Sequence, residues 1–77
     1  MKFLFQTIAV INGRPISYKI YLHSNGSYYA ESMNPDFDNF LLAKVNNDWS
    51  TILVRNADAA KQIGMALESH FSSAPEF

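Results

Sequence analysis

The stretch Ile8-Ala9-Val10-Ile11-Asn12-Gly13-Arg14-Pro15-Ile16-Ser17-Tyr18-Lys19-Ile20-Tyr21-Leu22 decides the fold. Asn-Gly suits a two-residue type I′ hairpin turn, because both central positions need positive φ. Upstream, Phe3 to Ile11 is rich in aromatic and β-branched residues, as strands are. Downstream the pattern alternates, with Ile16, Tyr18, Ile20 and Leu22 on one side and Ser17, Lys19, Tyr21 and His23 on the other. A turn at Asn12-Gly13 sets Ile11 against Arg14. Counting back, Ala9 then opposes Ile16, Phe5 opposes Ile20 and Phe3 opposes Leu22. Apolar residues meet apolar residues, so turn chemistry and hydrophobic pattern specify the same register.

Ser24-Asn25-Gly26 predicts a second hairpin. A three-residue loop with Gly26 left-handed pairs His23 with Ser27, Lys19 with Glu31, Ile20 with Ala30 and Tyr21 with Tyr29. A two-residue loop places Glu31 against Ile20 on the core face instead, at a desolvation cost. Asn34-Pro35-Asp36 opens a polar loop to about Asn39, Phe40 to Val45 reads as a fourth strand, Asn46-Asn47-Asp48 is a turn, and Trp49 to Val54 reads as a fifth strand. Asn56 or Asp58 caps a helix that runs to about Phe71. Ala60, Ile63, Gly64, Leu67 and Phe71 form its buried stripe, with Gly64 allowing close approach to the sheet. The expected fold class is α+β: an antiparallel sheet of four to five strands with one C-terminal helix packed on one face. Residues 1–71 form the single domain and 72–77 a flexible tail.

Composition narrows the chemistry. A chain of 77 residues cannot assemble a second core. With no cysteine, disulfides and thiolate metal sites are excluded, and two histidines are too few for a histidine zinc cage. Oligomerisation is the remaining compensation for a small core. Six basic residues against seven acidic ones give no strong field toward nucleic acid or anionic membrane. Met1-Lys2-Phe3-Leu4-Phe5 starts like a signal peptide, but Gln6, Thr7, Asn12 and Gly13 break the apolar run. No segment approaches the roughly 20 apolar residues of a membrane span. The expected location is cytoplasmic.

Motifs for catalysis are absent. Asn34, Asp36 and Asp38 alternate as in a calcium loop, yet Asn39 and Val45 stand where an EF-hand needs Gly and Glu. An ordinary Asx-type loop is therefore expected. His23 reads as a solvated hairpin residue and His70 as a complement to the helix dipole. No phosphate loop, nucleophile elbow or metalloprotease motif occurs. The expectation is a non-enzyme without cofactor or metal.

The informative feature is the face of the sheet that a single helix leaves open. Register arguments put Phe3, Phe5, Ile16, Tyr18, Ile20, Leu22, Ala30, Leu41, Ala43 and Val45 under the helix. They leave Leu4, Ile8, Tyr21, Tyr29, Met33, Phe40 and Leu42 on the other face, with Gln6, Lys19, Glu31 and Lys44 among them. A contiguous apolar patch marks an interface. The candidate partner-binding residues are accordingly Leu4, Ile8, Lys19, Tyr21, Tyr29, Phe40, Leu42 and Lys44. The leading expectation is a non-catalytic interaction module that forms a homodimer or binds a protein partner through this face. In element order, ββββα or close to it, the chain resembles the single-stranded nucleic-acid-binding folds of the Pur and PC4 type. That resemblance implies the alternative: Tyr21, Tyr29 and Phe40 stacking on bases while Lys19 and Lys44 meet phosphates. Glu31 in the same patch and the slightly negative net charge weigh against it.

Overall fold

The computed structural model describes residues 1–24, 26–51 and 57–72. Five strands, β1 (Lys2–Ile11), β2 (Arg14–Ser24), β3 (Ser27–Ser32), β4 (Phe40–Val45) and β5 (Asp48–Thr51), precede one helix, α1 (Ala57–Ser72). They form one antiparallel meander in sequence order, β1-β2-β3-β4-β5. The fold is α+β.

Turn chemistry sets the first hairpin. Asn12 has φ 52° and Gly13 φ 77°, the left-handed pair a type I′ turn requires. Ile11 pairs with Arg14, Ala9 with Ile16 and Phe5 with Ile20. A bulge at Leu4 then shifts the pairing, so Phe3 lies opposite Tyr21 rather than Leu22. Its ring is half exposed on the open face, while Leu4, expected on that face, packs against the core. One extra residue in the strand exchanges the two positions.

The second hairpin also differs in detail. Ser24, not His23, pairs with Ser27, closing a two-residue loop, and the register shifts at His23. That shift restores the pairs Lys19–Glu31, Ile20–Ala30 and Tyr21–Tyr29. The register shift at His23 thus keeps Glu31 off the core face. Between β3 and β4, the amide of Asp36 donates to Asn34 Oδ1 at 2.9 Å and that of Phe37 to the Asn34 carbonyl at 3.0 Å. This is an Asx-turn with Pro35 at the position that favours its φ. Asn46 (φ 52°) and Asn47 (φ 69°) make the β4–β5 turn, Asn being the non-glycine residue that best tolerates this region.

In β4 the facing is opposite to the expectation. Tyr28 pairs with Leu42 and Ala30 with Phe40, which carries Phe40 and Leu42 to the helix side and Leu41, Ala43 and Val45 to the open side. The core is Ala9, Ile16, Tyr18, Ile20, Ala30, Phe40 and Leu42 from the sheet, with Ala59, Ala60, Ile63 and Leu67 from α1. The helix approaches β1 and β5 most closely. Gly64 permits this: a Cβ built there would fall within the indole of Trp49. Phe71, expected to extend the buried stripe, is 51% exposed at the helix end. The expected strand residues 52–54, the Asn56 cap and tail residues 73–77 lie outside the described residues; Ser72 itself is helical.

Candidate functional site

Alternation along the strands leaves one face without a helix. Its centre is a band across four strands: Phe3 on β1, Tyr21 on β2, Tyr29 on β3 and Leu41 on β4, each the cross-strand partner of the next. Phe3 meets Tyr21 edge-on at 5.6 Å, and Tyr21 and Tyr29 stand 6.2 Å apart at 45°. The next row toward the first hairpin is polar, with Gln6, Lys19 and Glu31 in register. Tyr21 donates its hydroxyl to Glu31 Oε1 at 3.0 Å. That bond to the carboxylate raises the Tyr21 pKa, with desolvation and the Glu31 charge adding to it. Beyond the polar row, Ile8 is 60% exposed, and Val10 and Met33 are also exposed. Met33 continues the β3 alternation, its amide donating to the Ser17 carbonyl at 2.9 Å. Next to Leu41, a shallow hollow of about 280 Å³ is floored by the small side chains of Ser27, Ala43 and Ser50.

Of the residues expected on this face, Ile8, Lys19, Tyr21 and Tyr29 are there. Phe40 and Leu42 are not: Leu42 is 2% exposed and both belong to the core. Leu4 packs inward. Lys44 points to the helix side, where its Nζ lies 3.1 Å from Glu68 Oε2 and 5.9 Å from the centre of the Trp49 ring. Phe3, Leu41 and Val10 take their places on the open face. Alternation counted from Leu41 rather than Leu42 would have found the second of these; the bulge that frees Phe3 has no marker in the sequence.

Lys44 leads to a second cluster that sequence reasoning missed. Trp49 Nε1 donates to Glu68 Oε2 at 2.6 Å. Tyr28 meets Trp49 at 5.9 Å and 61°, and Phe71 at 6.1 Å and 48°. These rings, with Lys44, Glu68 and Gly26, line a hollow of about 450 Å³ at the end of α1. The Glu68 pKa is lowered by the Trp49 N–H and by Lys44, partial desolvation opposing them. Five residues from three strands and the helix meet there, and no spacing in the chain announces it.

Among the described residues no group of three or more His, Asp or Glu is placed to hold a metal ion, and no helix is long and apolar enough to cross a membrane. No family model matches the chain, and no curated protein or solved structure matches it.

Proposed function

We propose that the chain is a non-catalytic interaction module that self-associates through the open face of its sheet. Support comes from the order of residues across that face, which is self-complementary. A two-fold axis parallel to the strands, lying between two stacked sheets over the β2–β3 seam, exchanges β2 with β3 and β1 with β4. Lys19 of one copy then faces Glu31 of the second, Tyr21 faces Tyr29, and Phe3 faces Leu41. An isologous interface demands this reciprocity, and paired sheets stack about 10 Å apart, the reach of such side chains. Exposed Ile8, Val10 and Met33 extend the apolar area on one side of the band. Burying a large apolar side chain gains roughly 1.5–3 kcal/mol, so the band and its flank supply the affinity and the charges supply the register.

A charge swap tests this reading. Light scattering coupled to size exclusion should give a dimer at about 100 μM, within the range of weak specific association. Lys19→Glu should give a folded monomer, since acidic groups then face each other twice. Adding Glu31→Lys should restore the dimer. A parent that is monomeric at that concentration, or a Lys19→Glu variant that dimerises like the parent, refutes it.

Single-stranded nucleic-acid binding keeps Tyr21, Tyr29 and Lys19 on the open face but loses Phe40 to the core and Lys44 to the helix side. The geometry favours the protein interface.

A further inference from the structure

We infer that the hollow between α1 and the ends of β3–β5 is a binding site for a quaternary or methylated ammonium group, held by Tyr28, Trp49 and Phe71 around the Glu68 carboxylate. The site lies on the opposite side of the sheet from the proposed dimer interface and is independent of it.

Three observations carry the inference. First, Tyr28 is inclined by 61° to Trp49 and by 48° to Phe71, at centroid distances of 5.9 and 6.1 Å. Rings so tilted do not close into a stack, and all three line one common space, a cup at the end of α1. The space, about 450 Å³, falls within the range of small-ligand sites. Second, the cup carries one anion with spare capacity. Glu68 Oε2 accepts from both Trp49 and Lys44, at 2.6 and 3.1 Å, and among the described residues no hydrogen bond engages Oε1. Third, a cation already sits there: Lys44 Nζ lies 5.9 Å over the indole while touching the carboxylate. The chain's own ammonium thus displays what the site attracts, an electrostatic match between positive charge and ring faces.

Lys44 is a weak occupant. Its side chain is 41% exposed and that of Glu68 49%, and ion pairs so exposed to water are easily exchanged. A primary ammonium is also strongly hydrated. A quaternary ammonium cannot donate hydrogen bonds to water, so it loses less on entering an aromatic cup and contacts several rings at once. Lys44 is therefore an internal competitor, and its removal should tighten binding by an external cation.

The chain has a single tryptophan, and it lines the site. Its fluorescence is the readout. Choline chloride titrated at constant ionic strength should change the emission saturably. The neutral isostere 3,3-dimethylbutan-1-ol should bind at least about tenfold more weakly, as expected when cation–π attraction is the source of affinity. Glu68→Gln, which keeps an acceptor for the Trp49 N–H, should weaken choline binding severalfold. Lys44→Met should strengthen it severalfold. Circular dichroism checks that both variants, altered at exposed positions, remain folded. No saturable change in either the parent or Lys44→Met overturns the inference. So does equal binding of choline and the isostere, or a Glu68→Gln variant that binds choline as the parent does.

Discussion

Gln62 on α1 completes the hydrogen bonding of Val10 on the edge strand β1. Val10 N–H donates to Gln62 Oε1 and Gln62 Nε2 donates to the Val10 carbonyl, both at 2.7 Å. Val10 and Pro15 form the pair next to the turn-closing pair Ile11–Arg14, so by the alternation of an antiparallel ladder the backbone groups of Val10 point outward along the sheet edge. The carboxamide has the same donor–acceptor pair as a peptide group, and it takes the place of a neighbouring strand. Edge strands with free backbone groups invite wrong pairing, and here the helix closes one such place.

Replacing Gln62 with Leu should therefore cost about 1–3 kcal/mol, two net hydrogen bonds at 0.5–1.5 kcal/mol each. Urea denaturation gives the total, and hydrogen exchange at the Val10 amide gives the cause. An unchanged exchange rate at Val10 would show that the clamp contributes nothing in solution.

Gly64→Ala sets two effects against each other. Helix propensity favours Ala by about 1 kcal/mol. Against it, the new methyl would occupy the space of the Trp49 indole, which is ring rather than a flexible chain end. Overpacking of this kind costs about 1–3 kcal/mol, so net destabilisation is expected, with a shift in Trp49 emission as the ring moves. A variant with a higher melting temperature than the parent would mean the helix and β5 are not in contact there.

Adjacent positions on β4 separate core from surface. Leu42 is fully buried, and Leu42→Ala should cost about 2–5 kcal/mol. Leu41→Ser, one residue away on the open face, should change stability by under about 1 kcal/mol yet weaken dimerisation. Chemical denaturation and light scattering on the two variants decide it. A larger loss of stability from Leu41→Ser than from Leu42→Ala would place β4 in the other facing.

That strand also shows what the sequence could and could not convey. Asn12-Gly13 and the alternation of β2 made the first hairpin legible, because turn type and hydrophobic period are local and agree. The Gly64 approach was legible from its place on the apolar stripe. Phe40 to Val45 reads Phe-Leu-Leu-Ala-Lys-Val, apolar at both parities except at Lys44, so alternation leaves its facing undetermined. The answer depends on pairing with β3, which is set by the long loop Met33 to Asn39. There Asn39 Oδ1 accepts from the Ser32 amide at 2.8 Å, a contact no pattern foretells. Bulges at Leu4 and His23 were invisible for a related reason: each shifts the register without changing residue type. The Tyr28–Trp49–Phe71 cup joins residues up to 43 positions apart, and only tertiary packing brings them together.

Glu68 supplies the pH prediction. Its carboxyl is held below its ordinary range, first by the Trp49 N–H and then by Lys44. A group whose folded-state pKa is depressed stabilises the fold above its unfolded value, about 4.3 for Glu, and that contribution is lost as pH falls through the folded value. The side chain is half exposed, so solvent and salt screen the effect and its size is small. In Glu68→Gln the contribution is absent at every pH, while all other carboxylates titrate as before. The parent should therefore lose more melting temperature than Glu68→Gln between pH 6 and pH 3, at low ionic strength. Lys44→Met should fall between them, since the Trp49 hydrogen bond, the larger cause, survives in it. Over the same window Trp49 emission should change in the parent and stay nearly constant in Glu68→Gln, because protonation releases the indole N–H from a charged acceptor. Equal losses of melting temperature in the parent and Glu68→Gln, with parallel emission, would show that the carboxylate does not hold the Trp49 ring in solution.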